Sequence, residues 1–140
     1  MLTSTTGNGN PPNHAIAFQS CLENALKDGG KPLDGLKYAV FALGSSTYEN
    51  FCSFGRFCDP SMEEIGGMRI APLVLGDERK GQEKAFQTWA MEAFQNGCDS
   101  VNIEMPKNVE KKWPYAKLKS ANVTRKSTLI GKTIFPYTLP

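Results

Sequence analysis

Three short stretches carry the residue types from which a ligand site is built. The first, STTGNGNPP, runs from Ser4 to Pro12; Ser4, Thr5, Thr6, Gly7, Asn8 and Gly9 supply hydroxyls, an amide and two glycines ahead of a proline pair. The second, LGSSTYENFC, spans Leu43 to Cys52 and contains Gly44, Ser45, Tyr48, Asn50 and Phe51. The third, LGDERKGQ, ends at Gln82 and includes Glu78. Glycine lets backbone amides and carbonyls approach a flat ligand closely. An aromatic such as Tyr48 can stack on a ring system. Each stretch alone is also what an ordinary turn looks like. Three of them at successive strand ends point to a planar cofactor.

The segments between these stretches must position them. After the opening loop, Phe18, Cys21, Leu22, Ala25 and Leu26 recur at steps of three and four, the period of an amphipathic helix. Asn13 is expected to cap it and Gly29 and Gly30 to stop it. Tyr38 to Leu43 is a short apolar run, as in a strand buried on both faces. In FCSFGRFCDPSMEEIGG, Pro60 predicts a kink or a helix restart at Asp59-Pro60, with Glu63 and Glu64 in the new first turns. Arg69 to Leu75 reads as a second strand, and Pro72 within it argues for a sheet edge. GQEKAFQTWAMEAFQNGC reads as a helix with Phe86, Trp89, Ala90, Ala93 and Phe94 on its apolar stripe, ended by Gly97. Strands alternating with helices imply βαβ units, a parallel sheet and the α/β class. In such sheets ligands lie beyond the carboxyl ends of the strands, where the three stretches fall.

Composition narrows the function classes. With 140 residues, 40% hydrophobic and 21% charged, the chain has the size and make-up of one ordinary domain. No apolar run approaches the roughly 18 residues of a spanning helix. MLTSTTGNGN lacks the basic flank and apolar core of a secretory signal. The four cysteines are scattered without a CxxC, and His14 is the only histidine, so a metal site is not expected. Reduced thiols fit a cytoplasmic protein. Residues 1–106 carry 8 basic and 13 acidic side chains, a balance of −5, and residues 107–140 carry 8 and 1, a balance of +7. This divides the chain into an acidic body, 1–104, and a basic linker from 105 to 140 that ends in what reads as the start of another domain, LIGKTIFPYTL. The basic part has little aromatic interleaving, so nucleic acid is not an expected partner. GKT at 131–133 is not a phosphate loop, because position 126, where that motif needs glycine, is lysine.

The motifs STTGNGNPP, ALGSSTYENFCSFG, EEIGGMRI and GDERKGQEKAFQTWA resemble the second half of the flavodoxin-like FMN domain of the diflavin reductases. That family includes nitric oxide synthase and cytochrome P450 reductase, and FC-x-FG and GQE-x-AF-x-TWA direct the resemblance to the nitric oxide synthase reductase. It covers about Leu2 to Cys98. It implies that Ser4, Thr5, Thr6, Gly7, Asn8 and Gly9 face the ribityl chain and reactive edge of FMN. Leu43, Gly44 and Ser45 would support the ring and Tyr48 would stack on one face. Asn50, Phe51 and Cys52 would pack beside it, with Glu78 and Gln82 along the pyrimidine side, where an acid disfavours an anionic reduced flavin. The implied function is electron relay from NADPH through FAD and FMN to haem, with no catalytic acid or base in this chain. The implied partners are an FAD/NADPH-binding domain and a haem oxygenase domain of one parent chain, with calmodulin a partner of that parent. The alternatives are a segment of a cytochrome P450 or methionine synthase reductase, or a non-enzymatic remnant.

The chain departs from the family pattern in places. Thr6 stands where the family usually has an aromatic, and the helix holding Pro60 is normally unbroken. The segment before LKYAV is short, without the insertion of the calcium-regulated synthases, which suggests an inducible-like form. The resemblance also implies a truncated flavodoxin fold, keeping the 3-4-5 side of a 2-1-3-4-5 sheet. The strand before the opening loop would be reduced to Met1 and Leu2, and the phosphate-cradling loop would be absent. FMN is then expected to bind these 140 residues weakly or not at all.

Overall fold

Five short strands and three helices alternate along the chain in the computed structural model, which describes residues 1–105. The basic linker and following-domain start expected over 105–140 lie, past Met105, outside the described residues. Strands β1 (Leu2–Ser4), β3 (Phe41–Gly44) and β5 (Val74–Asp77) form a parallel sheet in the order β1-β3-β5. Strands β2 (Lys37–Tyr38) and β4 (Met68–Arg69) pair in parallel below them. Helices α1 (Ile16–Asp28) and α2 (Ser53–Glu64) make the crossovers, and α3 (Gln82–Ser100) follows β5. This is a flavodoxin-like α/β arrangement, the class expected from the alternation of elements.

Successive residues Val40 and Phe41 are both 0% exposed. Side chains alternate across a strand, so burial of both requires a layer on each face. Val40 joins Leu22, Tyr38, Phe54, Cys58, Met62 and Ile65 in the core under α1 and α2. Phe41 meets Phe86 and Trp89 of α3, each with ring centroids 5.3 Å away. Phe54, Cys58 and Met62 recur every fourth residue, which aims one stripe of α2 at the sheet.

Several local expectations are corrected. The run Tyr38–Leu43 and the run Arg69–Leu75 each divide into two strands. Between the pairs Tyr38↔Arg69 and Phe41↔Val74 one segment advances three residues and the other five, so 70–73 bulge from the ladder. Pro72 sits in this bulge, where its missing N–H breaks no ladder bond. The bulge carbonyls are held by α3: Trp89 Nε1 donates to Pro72 O at 3.2 Å and Asn96 Nδ2 to Ile70 O at 2.6 Å.

Helix α2 passes through Pro60 without a restart. Proline forfeits one hydrogen bond, at the carbonyl of exposed Arg56, and the buried stripe on either side keeps the helix on the sheet. Asn13 opens a 3₁₀ turn (Asn13–Ala15) and does not cap α1, whose N-cap is Ala15. Cys21 faces solvent although it shares the helical spacing of Leu22. Phe94 is likewise exposed, and α3 continues past Gly97 to Ser100. Gly97 therefore does not stop the helix, and a Cβ there would meet Ile70 at 3.6 Å, an ordinary contact.

Candidate functional site

The strand register brings the three turns to one rim. Ser4 lies beside Leu43, Leu43 beside Gly76, and Gly44 beside Asp77. The carboxyl ends of β1, β3 and β5 therefore finish at one level, and each runs into one of the stretches singled out above. Ser4 belongs to β1 itself, so the first turn begins at Thr5.

The first turn is closed by a backbone pair between Thr6 and Asn10, N–H to carbonyl in both directions at 2.8 and 2.9 Å. Thr6 Oγ1 also donates to Pro11 O at 3.0 Å. Gly9 has φ 99°, a conformation that strains any side-chain-bearing residue, and a Cβ there would lie 3.5 Å from Asn50. The first turn thus rests on the second. Thr5 joins it to α2, its hydroxyl accepting from Phe54 N at 3.1 Å. Thr6, Gly7 and Asn8 are exposed on the rim.

In the second turn, Ser45 is buried and its hydroxyl donates to Thr47 Oγ1 at 3.2 Å. Tyr48 N donates to Ser45 O at 3.1 Å, and the Tyr48 side chain projects outward, 70% exposed. Leu43, Gly44, Asn50 and Phe51 are half-buried. A Cβ on Gly44 would come within 2.9 Å of Cys52 Sγ, so glycine lets the turn fold back on its strand. Cys52 is buried, and burial pushes its thiol pKa up. Its backbone is left-handed, φ 56°, an uncommon state for cysteine that bends the chain into α2.

The third turn is organised by Asp77, a residue the sequence reading passed over. It is 7% exposed, and its Oδ1 accepts from Ser46 N at 3.0 Å and Arg79 N at 3.1 Å. Its Oδ2 is buried without a hydrogen-bond partner. Hydrogen bonding from Ser46, with smaller help from Arg79 N–H and Lys80, outweighs desolvation and holds the carboxyl below the ordinary carboxylate range. Such an acid adds stability above its unfolded pKa, which is lost as pH falls through the folded value. The stability gap between wild type and Asp77→Asn is therefore expected to narrow as pH falls through about 4 and below. Urea melts at pH 3 and pH 7 check this. The signal available in sequence was the acid directly after a strand glycine, in position to cap a turn. Gln82 Nε2 donates to Gly44 O at 3.2 Å and Gly76 O at 2.7 Å, clamping the ends of β3 and β5, and Glu78 is exposed.

All fifteen sequence-predicted residues thus lie on one rim. They divide by orientation. Polar groups of Thr5, Thr6, Ser45, Cys52 and Gln82 are engaged by the protein, whereas Gly7, Asn8, Tyr48 and Glu78 face outward. Among the described residues, no group of three or more His, Cys, Asp or Glu side chains is placed to hold a metal ion, and no helix is long and apolar enough to cross a membrane.

A flavodoxin family profile matches residues 1–89, which includes all three turns. The chain belongs to the flavodoxin family. The solved flavodoxin of Streptococcus pneumonia TIGR4 has the same fold, with a TM-score of 0.54 at 23% identity over 69% of this chain and 61% of that one. Within the flavodoxin family the sequence is similar to segments of nitric oxide synthases. It is 37% identical to the inducible synthase of Gallus gallus over 110 residues, 79% of this chain and 9% of the relative. It is 49% identical to the synthase of Anopheles stephensi over 73 residues, 52% of this chain and 6% of that relative. The flavodoxin-family chain therefore spans about a tenth or less of the relatives it matches.

Proposed function

We propose that this chain forms the ring-facing part of an FMN-binding electron-transfer domain of the nitric oxide synthase type. The observation that carries the reading is the exposed Tyr48 ring standing on a rim where three glycine-bearing turns converge. The rim fits a flat ring. Tyr48 offers an open aromatic face, and Gly7, Asn8 and Gly9 offer backbone at the first turn. Gln82, Thr5 and Asp77 hold the turns still from behind. FMN, when bound, supplies reversible electron transfer; the chain supplies binding, orientation and the nearby charge of Glu78. Similarity to the synthases supports a place in the relay from NADPH through FAD and FMN to haem. The FAD/NADPH-binding domain, the haem oxygenase domain and calmodulin would then be partners within or upon a longer parent in the cytoplasm.

Stacking on an aromatic ring contributes on the order of 1 kcal/mol beyond area burial. Tyr48→Ala is therefore expected to weaken flavin binding about fivefold. Fluorescence quenching of FMN and riboflavin by the purified chain measures it. The rim would meet the ring and ribityl chain, which FMN and riboflavin share, so both flavins should respond alike. Equal affinity in wild type and Tyr48→Ala would remove Tyr48 from the site.

A further inference from the structure

Asp77 presents a problem that the rim's own residues answer. A carboxylate this buried is costly unless its oxygens are satisfied. Here one oxygen takes two backbone N–H groups and the other takes none. The two donors come from different turns: Ser46 lies two residues before Tyr48 in the second, and Arg79 lies beside Glu78 in the third. Arg79 doubles the link, its Nη1 donating to Thr47 Oγ1 at 3.3 Å. Tyr48 N is in turn bonded to Ser45 O. Ser45, Ser46, Thr47 and Tyr48 therefore reach the third turn largely through one carboxylate oxygen.

We infer that Asp77 is a positioning residue for the ligand rim: by binding Ser46 and Arg79 together it makes the second and third turns move as one unit and thereby places the Tyr48 ring. This rests on the flavin reading only for what the ring is placed against; the coupling of the turns stands apart from it. Asparagine keeps an acceptor oxygen at the same point and removes the charge, whereas alanine removes the acceptor. The two variants thus separate positioning from charge.

The test is amide hydrogen exchange of the full chain, read by NMR for wild type, Asp77→Ala and Asp77→Asn, followed by riboflavin titration of each. In Asp77→Ala the Ser46 and Arg79 amides should exchange about tenfold faster and together, because each loses its bond. Riboflavin affinity should fall about fivefold, and Asp77→Asn should restore both quantities to within about threefold of wild type. Where Asp77→Ala does not fold, Asp77→Ser takes its place. It retains one acceptor, and at least one of the two amides should come free. Unchanged exchange at both amides overturns the inference. So does faster exchange with full riboflavin affinity, since Tyr48 would then be placed by something else. A wild-type chain that takes up no riboflavin overturns the flavin reading instead; the exchange data then still decide whether Asp77 couples the turns.

Discussion

Phe41→Ala is expected to cost about 3–5 kcal/mol of folding stability, the range for emptying a fully buried phenylalanine site. Phe41 is 0% exposed and opens β3, the middle strand of the sheet. Its ring fills the space between the sheet and α3, edge-on to Phe86 and tilted against Trp89. It also lies under Gly76, where a Cβ would come within 2.5 Å of the ring. Neighbours fixed on a strand and a helix cannot collapse far into the hole, so little of the loss is recovered. Small domains have only about 5–15 kcal/mol in total, so the variant should be largely unfolded at moderate temperature. With a urea slope of about 1–3 kcal/mol per molar, the midpoint should fall by a molar or more. A loss below about 1 kcal/mol would mean that α3 does not pack on the sheet through this residue.

The second large effect is expected at Gly55, where α2 crosses β3. A Cβ added to Gly55 would lie 2.4 Å from the Cβ of Ala42, with Thr3 Cγ2 at 3.6 Å. Both methyls are fixed directly to backbone, so no flexible side chain can yield. Helix propensity alone favours alanine over glycine by about 1 kcal/mol. Overpacking costs about 1–3 kcal/mol or more and should win, giving a net loss of about 2 kcal/mol in Gly55→Ala. Lifting α2 also pulls Phe54 N from the Thr5 hydroxyl, which loosens the first turn. The companion substitution Ala42→Gly removes the opposing methyl and leaves the Ala42 Cα at 3.5 Å, an ordinary contact. The double variant should therefore recover most of the stability that Gly55→Ala loses. A single variant as stable as wild type, in the same urea melts, would place α2 farther from β3 than described.

Local pattern carried the class of fold and the three turns. The run Tyr38–Leu43 reads as doubly buried because Val40 and Phe41, facing opposite ways, are both apolar, and the structure buries both. The turns were legible because glycine, hydroxyl and aromatic residues crowd immediately after each strand. What escaped depends on partners distant in sequence. The bulge at 70–73 is stable because Trp89 and Asn96, on another element, catch its carbonyls. The unbroken α2 needs the sheet beneath Phe54, Cys58 and Met62 to outweigh Pro60, and proline in sequence announces only its local cost. Cys21 and Phe94 fit apolar stripes by spacing, yet both are exposed, because spacing alone does not say how far along a helix face its neighbours reach. Asp77 escaped for a different reason. An acid after a strand glycine reads as an exposed turn former, and only the return of the second turn shows its oxygen bracing Ser46 as well as Arg79.

The rim as the place where a flavin ring rests is tested most directly by titrating the ¹⁵N-labelled chain with FMN and with riboflavin and following each backbone amide. NMR registers weak binding, so the experiment is decisive even at low affinity. The account predicts saturable shifts for both flavins, concentrated in residues 5–10, 44–52 and 77–82 and largest around Tyr48. Shifts centred on the opposite end of the sheet, or no saturable shifts with either flavin, would contradict it.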